Sequence, residues 1–345
     1  MNILKKGIIC LGMLSAMGAA TYGAEPVLTV YSTRHYDSDK AIIKEFTEKT
    51  GIKVEVVKGK GKALLQKLAS EGKDSQADIF FTADAGNLAK AKEAGFFQEL
   101  DSKVIDENIP VNLRDKDDKW TALTKRARVI VYSKDRVNPA ELSTYEDLAD
   151  PKWKGKILVR SSSNQYNISL VSSFLDDKIM GKEKTEKWLK GFVANLARTP
   201  KGNDRAQGKA VYAGEGDIAI MNTYYIGKML NDKKDPTMKA AGENIAVFFP
   251  NQQTTGTHVN VSGAGILKTA DNKEAAVKFL EFLSSDEAQE KFSSANYEFP
   301  ANPKVEVKNE FLKSLGEFKA QDINLTVLGE NAKEAVKLMD EAGWK

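Results

Sequence analysis

The sequence predicts an α/β protein built as two lobes. Three apolar, β-branched runs alternate with three amphipathic helical runs between residues 27 and 95, the pattern of a parallel sheet with helices on its faces. The chain has 345 residues, too many for one ordinary core, so the same kind of unit is expected twice. A long extended run at 122–132 lies between the two units and can cross from one lobe to the other.

The N-terminal segment, residues 1–24, predicts a cleavable signal peptide and therefore a periplasmic protein. Lys5 and Lys6 precede an uncharged apolar run at 7–20, and small residues follow up to the expected cleavage site. The alternative is a membrane anchor, which is disfavoured because a membrane span needs about 20 apolar residues. Cys10, the only cysteine, lies inside this segment, so the mature chain has no disulfide and no thiolate metal site.

Charge and motifs exclude several function classes. The formal net charge falls from +3 to +1 when Lys5 and Lys6 are removed, because residues 1–24 contain no acid. A nearly neutral, mixed surface gives no argument for a nucleic-acid or anionic-membrane partner. The sequence contains no nucleophile elbow of the G-x-S-x-G type, no phosphate loop and no H-E-x-x-H, so we do not expect an enzyme.

Local patterns predict each element of the first unit. β-Branched and aromatic residues cluster or alternate with polar ones in three strands, at 27–31, 52–56 and 77–82. The helices that follow each end at a glycine, namely Gly51, Gly72 and Gly95. Ser38 and Asp39 are residue types that can cap the first of these helices.

The alternation resumes after the extended run. Strands at 157–159 and 218–222 are each followed by an amphipathic helix. Two later strands are expected to return to the first lobe, and Gly263 and Gly265 in the second of them allow close backbone approach. These two strands are predicted at 245–249 and 259–267. Five further helices are predicted at 182–197, 205–213, 273–283, 285–293 and 331–342.

These patterns divide the mature chain into four segments. We expect a first part of the N-terminal lobe at 25–124, a C-terminal lobe at 125–247, a return to the first lobe at 248–298, and C-terminal helices at 299–345 that pack on the C-terminal lobe. Two or more segments that cross between lobes form a hinge, which permits closure over a ligand.

Unusual side chains follow three of the predicted strands: His35 and Tyr36, then Tyr166, then Tyr224 and Tyr225. Each is weak evidence alone, because an adjacent aromatic pair is more often one core and one surface residue, and a loop histidine is usually solvated. Together they are four of ten tyrosines and one of two histidines, all at strand ends. Open α/β sheets bind their ligands at the carboxyl ends of their strands.

Phenolates predict a particular kind of metal. They are hard, anionic oxygen donors that suit a hard trivalent cation, whose charge can displace the phenol proton despite an ordinary pKa of about 10. Zinc would favour more histidine or cysteine. Iron(III) is the abundant metal that fits such a donor set.

Five stretches, in this order along the chain, resemble the periplasmic ferric-ion-binding proteins of ABC importers. They are 31–36 (Tyr-Ser-Thr-Arg-His-Tyr), 125–129 (Lys-Arg-Ala-Arg-Val), 151–156 (Pro-Lys-Trp-Lys-Gly-Lys), 202–205 (Gly-Asn-Asp-Arg) and 222–225 (Asn-Thr-Tyr-Tyr). The resemblance implies the type II periplasmic-binding-protein fold, with two lobes joined by crossing hinge strands and Fe³⁺ held in the cleft. It also implies delivery of iron to an inner-membrane permease and its ATPase, and we expect a monomer.

The resemblance implies a set of metal ligands. Tyr224 and Tyr225 are similar to the core ligands from the second lobe, and Tyr166 resembles the additional tyrosine of the family's tyrosine-rich branch. His35 and Tyr36 match the first-lobe ligand pair of that branch. The transferrin-like branch also uses a glutamate directly after a Phe-Thr pair, whereas here Ala83 takes that position and Asp84 follows one residue late; we therefore leave Asp84 out of the ligand set.

Three arginines, Arg34, Arg126 and Arg205, are candidates for a supporting role. A guanidinium can hydrogen-bond to phenolate oxygens or hold an anion such as carbonate that completes the metal coordination. The alternative is a structural salt bridge near the hinge, and whether a synergistic anion is required stays open. His258 follows a polar turn and is expected to be a loop residue at the cleft rim without a ligand role.

A second function is compatible with the same residues. A binding protein of this fold could instead hold a small organic or phosphorylated anion through Arg34, Arg126 and the serines at 161–163. Fold alone does not decide between the two functions.

Overall fold

The computed structural model describes residues 27–34 and 37–345. The predicted signal peptide and the pair His35 and Tyr36 lie outside the described residues. The strands are β1 (Val27–Ser32), β2 (Lys53–Lys58), β3 (Ile79–Ala83), β4 (Thr121–Ser133), β5 (Ile157–Leu158), β6 (Ile218–Asn222), β7 (Ile245–Phe248), β8 (Val259–Ile266) and β9 (Phe299–Pro300).

Helices follow most of these strands and cover them. They are α1 (Asp37–Thr50), α2 (Gly61–Glu71), α3 (Ala85–Glu93), α4 (Lys103–Asn108), α5 (Gln165–Phe174), α6 (Gly181–Ala194), α7 (Asp204–Tyr212), α8 (Thr223–Leu230), α9 (Pro236–Asn244), α10 (Lys273–Ser284), α11 (Asp286–Asn296), α12 (Glu310–Ser314), α13 (Val327–Glu330) and α14 (Ala332–Glu341). Throughout 27–34 and 37–345, no helix has both the length and the apolar character needed to span a bilayer.

The strands pair in the order β2-β1-β3-β8-β4-β6-β5, with β7 and β9 also pairing with β4. β1 runs parallel to both β2 and β3, as the alternation of strands and helices predicts. β8 then joins β3 in the antiparallel direction, so the chain does return to its first sheet late in the sequence.

Strand β4 is the predicted crossing strand. Its first half pairs with β8, from Thr121 to Ala127, and its second half pairs with β6 and β7, from Arg128 to Ser133. One strand therefore belongs to both lobes. β8 lies close to β4 because Gly263 carries no side chain: a Cβ there would lie 2.4 Å from the carbonyl oxygen of Thr121.

The C-terminal segment closes the second lobe. α14 packs against α5 and α6, while the short α13 contacts both α3 and α5. Trp344 is buried, and its ring lies 5.0 Å from that of Phe192, at the end of a chain of aromatic contacts through the lobe. Gly329 of α13 approaches Ala89 so closely that a Cβ at this glycine would lie 2.0 Å from the Cβ of Ala89.

Three sequence predictions need correction. β7 pairs with the second half of β4, in the sheet that contains β6, and so does not return to the first lobe as predicted. α1 begins at Asp37, so Ser38 and Asp39 lie within its first turn rather than capping it, and the Asp39 carboxylate pairs with Arg34. His258 does not lie at the cleft rim: it is buried beside the crossing strands, where its backbone N–H donates to the hydroxyl of Tyr145 at 3.2 Å. Polar neighbours in the sequence concealed this burial.

His258 should make the folded protein sensitive to acid. The pKa of its imidazole is lowered from 6.5 to about 3, chiefly by burial. The contact with Gln321 raises this pKa, whereas the charges of Arg128 and Arg126 lower it. Between these two pKa values the unfolded chain binds a proton that the folded protein excludes. Above pH 6.5 this group therefore does not change the free energy of unfolding. As the pH falls from 6.5 towards 3, the free energy of unfolding decreases by about 1.4 kcal/mol per pH unit.

The test is urea denaturation of the wild type and of His258→Gln from pH 7 to pH 4.5. We expect the wild type to lose about 2–3 kcal/mol more than the variant over this range. Equal pH dependence in the two proteins would contradict a buried, neutral His258.

Candidate metal centre

Three of the predicted tyrosines meet on the second lobe. Tyr166 lies in the first turn of α5, and Tyr224 and Tyr225 lie in the first turn of α8, directly after β6. The phenol oxygens of Tyr166 and Tyr224 are 3.2 Å apart, and the rings of Tyr224 and Tyr225 are 4.2 Å apart between centroids. Three phenols separated by up to 59 positions along the chain thus form one cluster.

The cluster opens into a large cleft. The cleft has a volume of about 1370 Å³ and is lined from both lobes, by the ends of β1 and β3 on one side and by the first turns of α5, α7 and α8 on the other. Its charged lining residues are Arg34, Lys58, Lys60, Asp84, Arg160, Arg205, Lys228 and Lys234. Because seven of these eight are cationic, the cleft favours anionic groups.

The phenol of Tyr225 holds its proton when no cation is present. Burial raises the pKa of the Tyr225 phenol above its ordinary value, and the neighbouring Tyr166 and Asp204 raise it further. The N-terminus of α8 favours the deprotonated form of Tyr225, since the positive end of a helix dipole stabilises a negative charge nearby. A trivalent cation bound at this point would favour deprotonation of the phenols to phenolates.

Guanidinium groups surround the ring of Tyr166. Those of Arg160, Arg126 and Arg128 lie 5.3, 5.6 and 5.8 Å from the ring centroid. Such contacts fix the ring in place and supply positive charge beside its oxygen. Of these three arginines, only Arg126 was predicted from the sequence to belong to the site. Arg160 stands directly after the predicted strand 157–159, a position where a cleft residue could have been expected.

Buried Asp204 organises two of these arginines. Its carboxylate lies 3.2 Å from Arg128 Nη1 and 3.1 Å from Arg160 Nη1, and it accepts a hydrogen bond of 2.8 Å from the backbone N–H of Asn222. Asn222 is the last residue of β6, two positions before Tyr224. Asp204 therefore links the arginines around Tyr166 to the strand that positions Tyr224 and Tyr225.

Lys228 is a further cation at the site that the sequence analysis did not name. It lies one helical turn after Tyr224, and its ammonium nitrogen is 5.1 Å from the centre of that ring. Burial lowers its pKa to about 8, an effect that Arg34 and Arg205 strengthen and that Glu298 and Asp39 oppose. The i, i+4 spacing from Tyr224 was the available indication in the sequence.

The three arginines proposed from the sequence occupy different surroundings. Arg34 is buried and bound to two carboxylates, Asp39 at 3.0 Å and Glu298 at 2.9 Å. Arg126 is also buried, but its two terminal nitrogens have no hydrogen-bond partner within the described part of the chain. Arg205 lines the cleft at the N-terminal end of α7.

Asp84 is engaged in a network of its own. It is buried with a φ of +88°, and its carboxylate accepts hydrogen bonds from Ser169 at 2.7 Å and from Asn260 at 2.9 Å. Arg126 lies 3.7 Å from the same carboxylate. Since Ser169 belongs to the second lobe, Asp84 joins the two lobes at the base of the cleft.

Two predicted ligands, His35 and Tyr36, lie outside the described residues. Within 27–34 and 37–345, no group of three or more histidine, cysteine, aspartate and glutamate side chains is arranged to hold a metal ion. The candidate metal site among the described residues is the cluster of Tyr166, Tyr224 and Tyr225.

Comparison with known proteins places the chain among binding proteins. The family model described as bacterial extracellular solute-binding protein matches residues 31–290. The chain is 50% identical over 327 residues to iron uptake protein A1 of Synechocystis sp., covering 95% of this chain and 90% of that protein. It is 31% identical over 337 residues to the major ferric iron-binding protein of Neisseria meningitidis, covering 95% and 97% of the two chains.

Solved structures agree with this placement. The Trichodesmium protein IdiA (FutA), in complex with iron and citrate ligands, matches with a TM-score of 0.89 at 50% identity, over 92% of this chain and 100% of that chain. The ferric binding protein of Campylobacter jejuni matches with a TM-score of 0.85 at 44% identity, over 92% and 100%. These matches confirm the predicted type II periplasmic-binding-protein fold. The chain belongs to the family of bacterial extracellular solute-binding proteins.

Proposed function

We propose that this protein captures Fe³⁺ in the periplasm, between its two lobes, and delivers it to an inner-membrane ABC permease and its ATPase. The observation that carries the proposal is the meeting of three phenols, with Tyr166 and Tyr224 oxygens 3.2 Å apart, in a cleft bordered by cations. The relatives named for iron uptake and ferric iron binding support the same cargo. The protein acts by binding and release, not by catalysis.

The proposed ligands come from both lobes. Tyr166, Tyr224 and Tyr225 would bind first, because they already lie together on the second lobe. His35 and Tyr36 would join from the end of β1 when the hinge closes. Three phenolates neutralise Fe³⁺ and a fourth leaves one net negative charge, and the guanidinium groups around Tyr166 would stabilise the phenolates.

An anion such as carbonate fits the same site. Arg205 lines the cleft and Arg126 has terminal nitrogens without hydrogen-bond partners in the described part of the chain, so both could hold an anion that completes the coordination. The Trichodesmium protein, whose structure is a complex with iron and citrate ligands, supports an anion of this kind. Arg34 is the weakest of the three candidates because Asp39 and Glu298 already neutralise it.

A binding protein for an organic or phosphorylated anion alone is not favoured. The relatives named for 2-aminoethylphosphonate binding are 25% identical to this chain, whereas those named for iron reach 50%. The serines at 161–163 are also not among the residues that line the cleft.

Iron capture should weaken as the pH falls. Because burial and its neighbours raise the pKa of Tyr225, its phenol must lose a proton on binding Fe³⁺, and each released proton lowers the affinity by about tenfold per pH unit of acidification. The experiment is competition for ferric iron against a chelator of known affinity at pH 7.5 and pH 5.5. An affinity for iron that does not change between these pH values would contradict binding through phenolates, and no binding at either pH would contradict the proposed function.

A further inference from the structure

A second pocket lies on the side of β4 opposite the phenols. Successive residues of a strand point to opposite faces, so Arg126 lies beside Tyr166 while Lys125 faces the other way and lines this pocket. Lys125 is paired in register with Phe299 of β9, which lines the pocket beside it. The pocket has a volume of about 540 Å³, within the range of about 300–1,000 Å³ found for small-molecule sites.

The walls of the pocket are apolar and held in place. The ring of Phe318 stacks on Phe249 at 4.4 Å and contacts the edge of Phe299 at 5.3 Å. The segment that carries Phe318 is tied to Thr257 by two backbone hydrogen bonds, of 2.8 and 3.0 Å. The apolar lining residues are Phe299, Val305, Val307, Leu312 and Phe318.

Among the residues that the structure describes, the Lys125 ammonium has no counter-ion. Burial lowers its pKa, and no neighbouring group opposes this effect. Throughout 27–34 and 37–345, no side chain forms an ion pair or hydrogen bond with its ammonium group. Lys313 and Glu317 also line the pocket, but both are exposed, and Glu317 is not within ion-pair distance of Lys125. A charged group in such a position costs free energy unless a partner neutralises it.

We propose that this pocket is a ligand site for a small monocarboxylate with an apolar body, whose carboxylate pairs with Lys125 and whose body fills the space between the aromatic and aliphatic walls. A single ammonium matches a single carboxylate. A phosphorylated ligand is less suited, because the pocket offers no guanidinium and its second lysine, Lys313, is exposed and pairs with Glu310 at 3.5 Å. The site is separate from the phenol cluster, so this proposal does not depend on iron binding.

Octanoate is the probe for this proposal, with octylammonium as the probe of opposite charge. Calorimetric titration of the mature, iron-free protein should detect octanoate below its micelle concentration and octylammonium only much more weakly. Lys125→Met keeps an unbranched side chain, one atom shorter, and removes its charge, and should weaken octanoate binding by about 10- to 100-fold. Lys313→Met, an exposed lysine at the same pocket, should have little effect.

The outcomes separate the proposal from its alternatives. No binding of octanoate by the wild type, equal binding of octanoate and octylammonium, or undiminished binding by Lys125→Met would each overturn it. Val307→Asp, which places a negative charge on the pocket wall, provides a second test and should also weaken octanoate binding. Thermal melting checks that both variants fold, and Lys125→Met should be no less stable than the wild type because it removes a half-buried charge that has no counter-ion among the described residues.

Discussion

Replacement of both Tyr224 and Tyr225 by phenylalanine is expected to abolish retention of ferric iron. The change removes two phenol oxygens and leaves the rings, which are packed 4.2 Å apart, in place. Loss of a group that only supports a metal ligand already costs about 10- to 100-fold in metal affinity, so loss of two direct donors should cost more than that. The measurement is equilibrium dialysis against a ferric chelate, followed by metal analysis.

Tyr212→Phe is the matched control for this double variant. Tyr212 is exposed at the end of α7 and does not line the cleft. This control should retain iron like the wild type. If the double variant also retained iron at the wild-type level, the assignment of the cargo site to α8 would be wrong.

Asp204→Asn is expected to produce the largest loss of stability in the apo protein. The substitution keeps the size of the side chain and removes the charge that neutralises Arg128 and Arg160. Arg128 and Asp204 are almost fully buried, so their contact is little screened by water. Breaking a buried ion pair by removal of one partner costs about 3–5 kcal/mol, and chemical denaturation would measure this loss.

The exposed pair of Lys44 and Glu48 on α1 provides the control for Asp204. Both side chains face solvent, where ion pairs contribute little. Glu48→Gln should leave the unfolding midpoint nearly unchanged. A loss of stability in Asp204→Asn no larger than that in Glu48→Gln would show that the buried network is not important for the fold.

The fold could be predicted because its information is local. β-Branched runs, amphipathic runs and terminal glycines such as Gly51 and Gly95 mark the elements without reference to the rest of the chain. Helix α9 was not predicted, although Asp235 followed by Pro236 is a recognisable helix start. Helix α13 was not predicted either, because its four residues are too few to show a periodicity.

The site was only partly predictable because burial and pairing depend on distant residues. Tyr224 and Tyr225 could be found because they directly follow a strand. Asp204 could not be found in the same way, since its partner Arg128 lies 76 positions away in the sequence. His258 was misplaced for the same reason: Tyr145 and Gln321, which bury it, come from two remote segments.

The most direct test of the proposed function is a visible absorption titration of the mature, iron-free protein with chelated ferric iron. Coordination of Fe³⁺ by Tyr166, Tyr224 and Tyr225 predicts a phenolate-to-iron charge-transfer band that grows to a plateau at one iron per chain. A protein that stays colourless throughout the titration would contradict phenolate coordination of iron in this cleft.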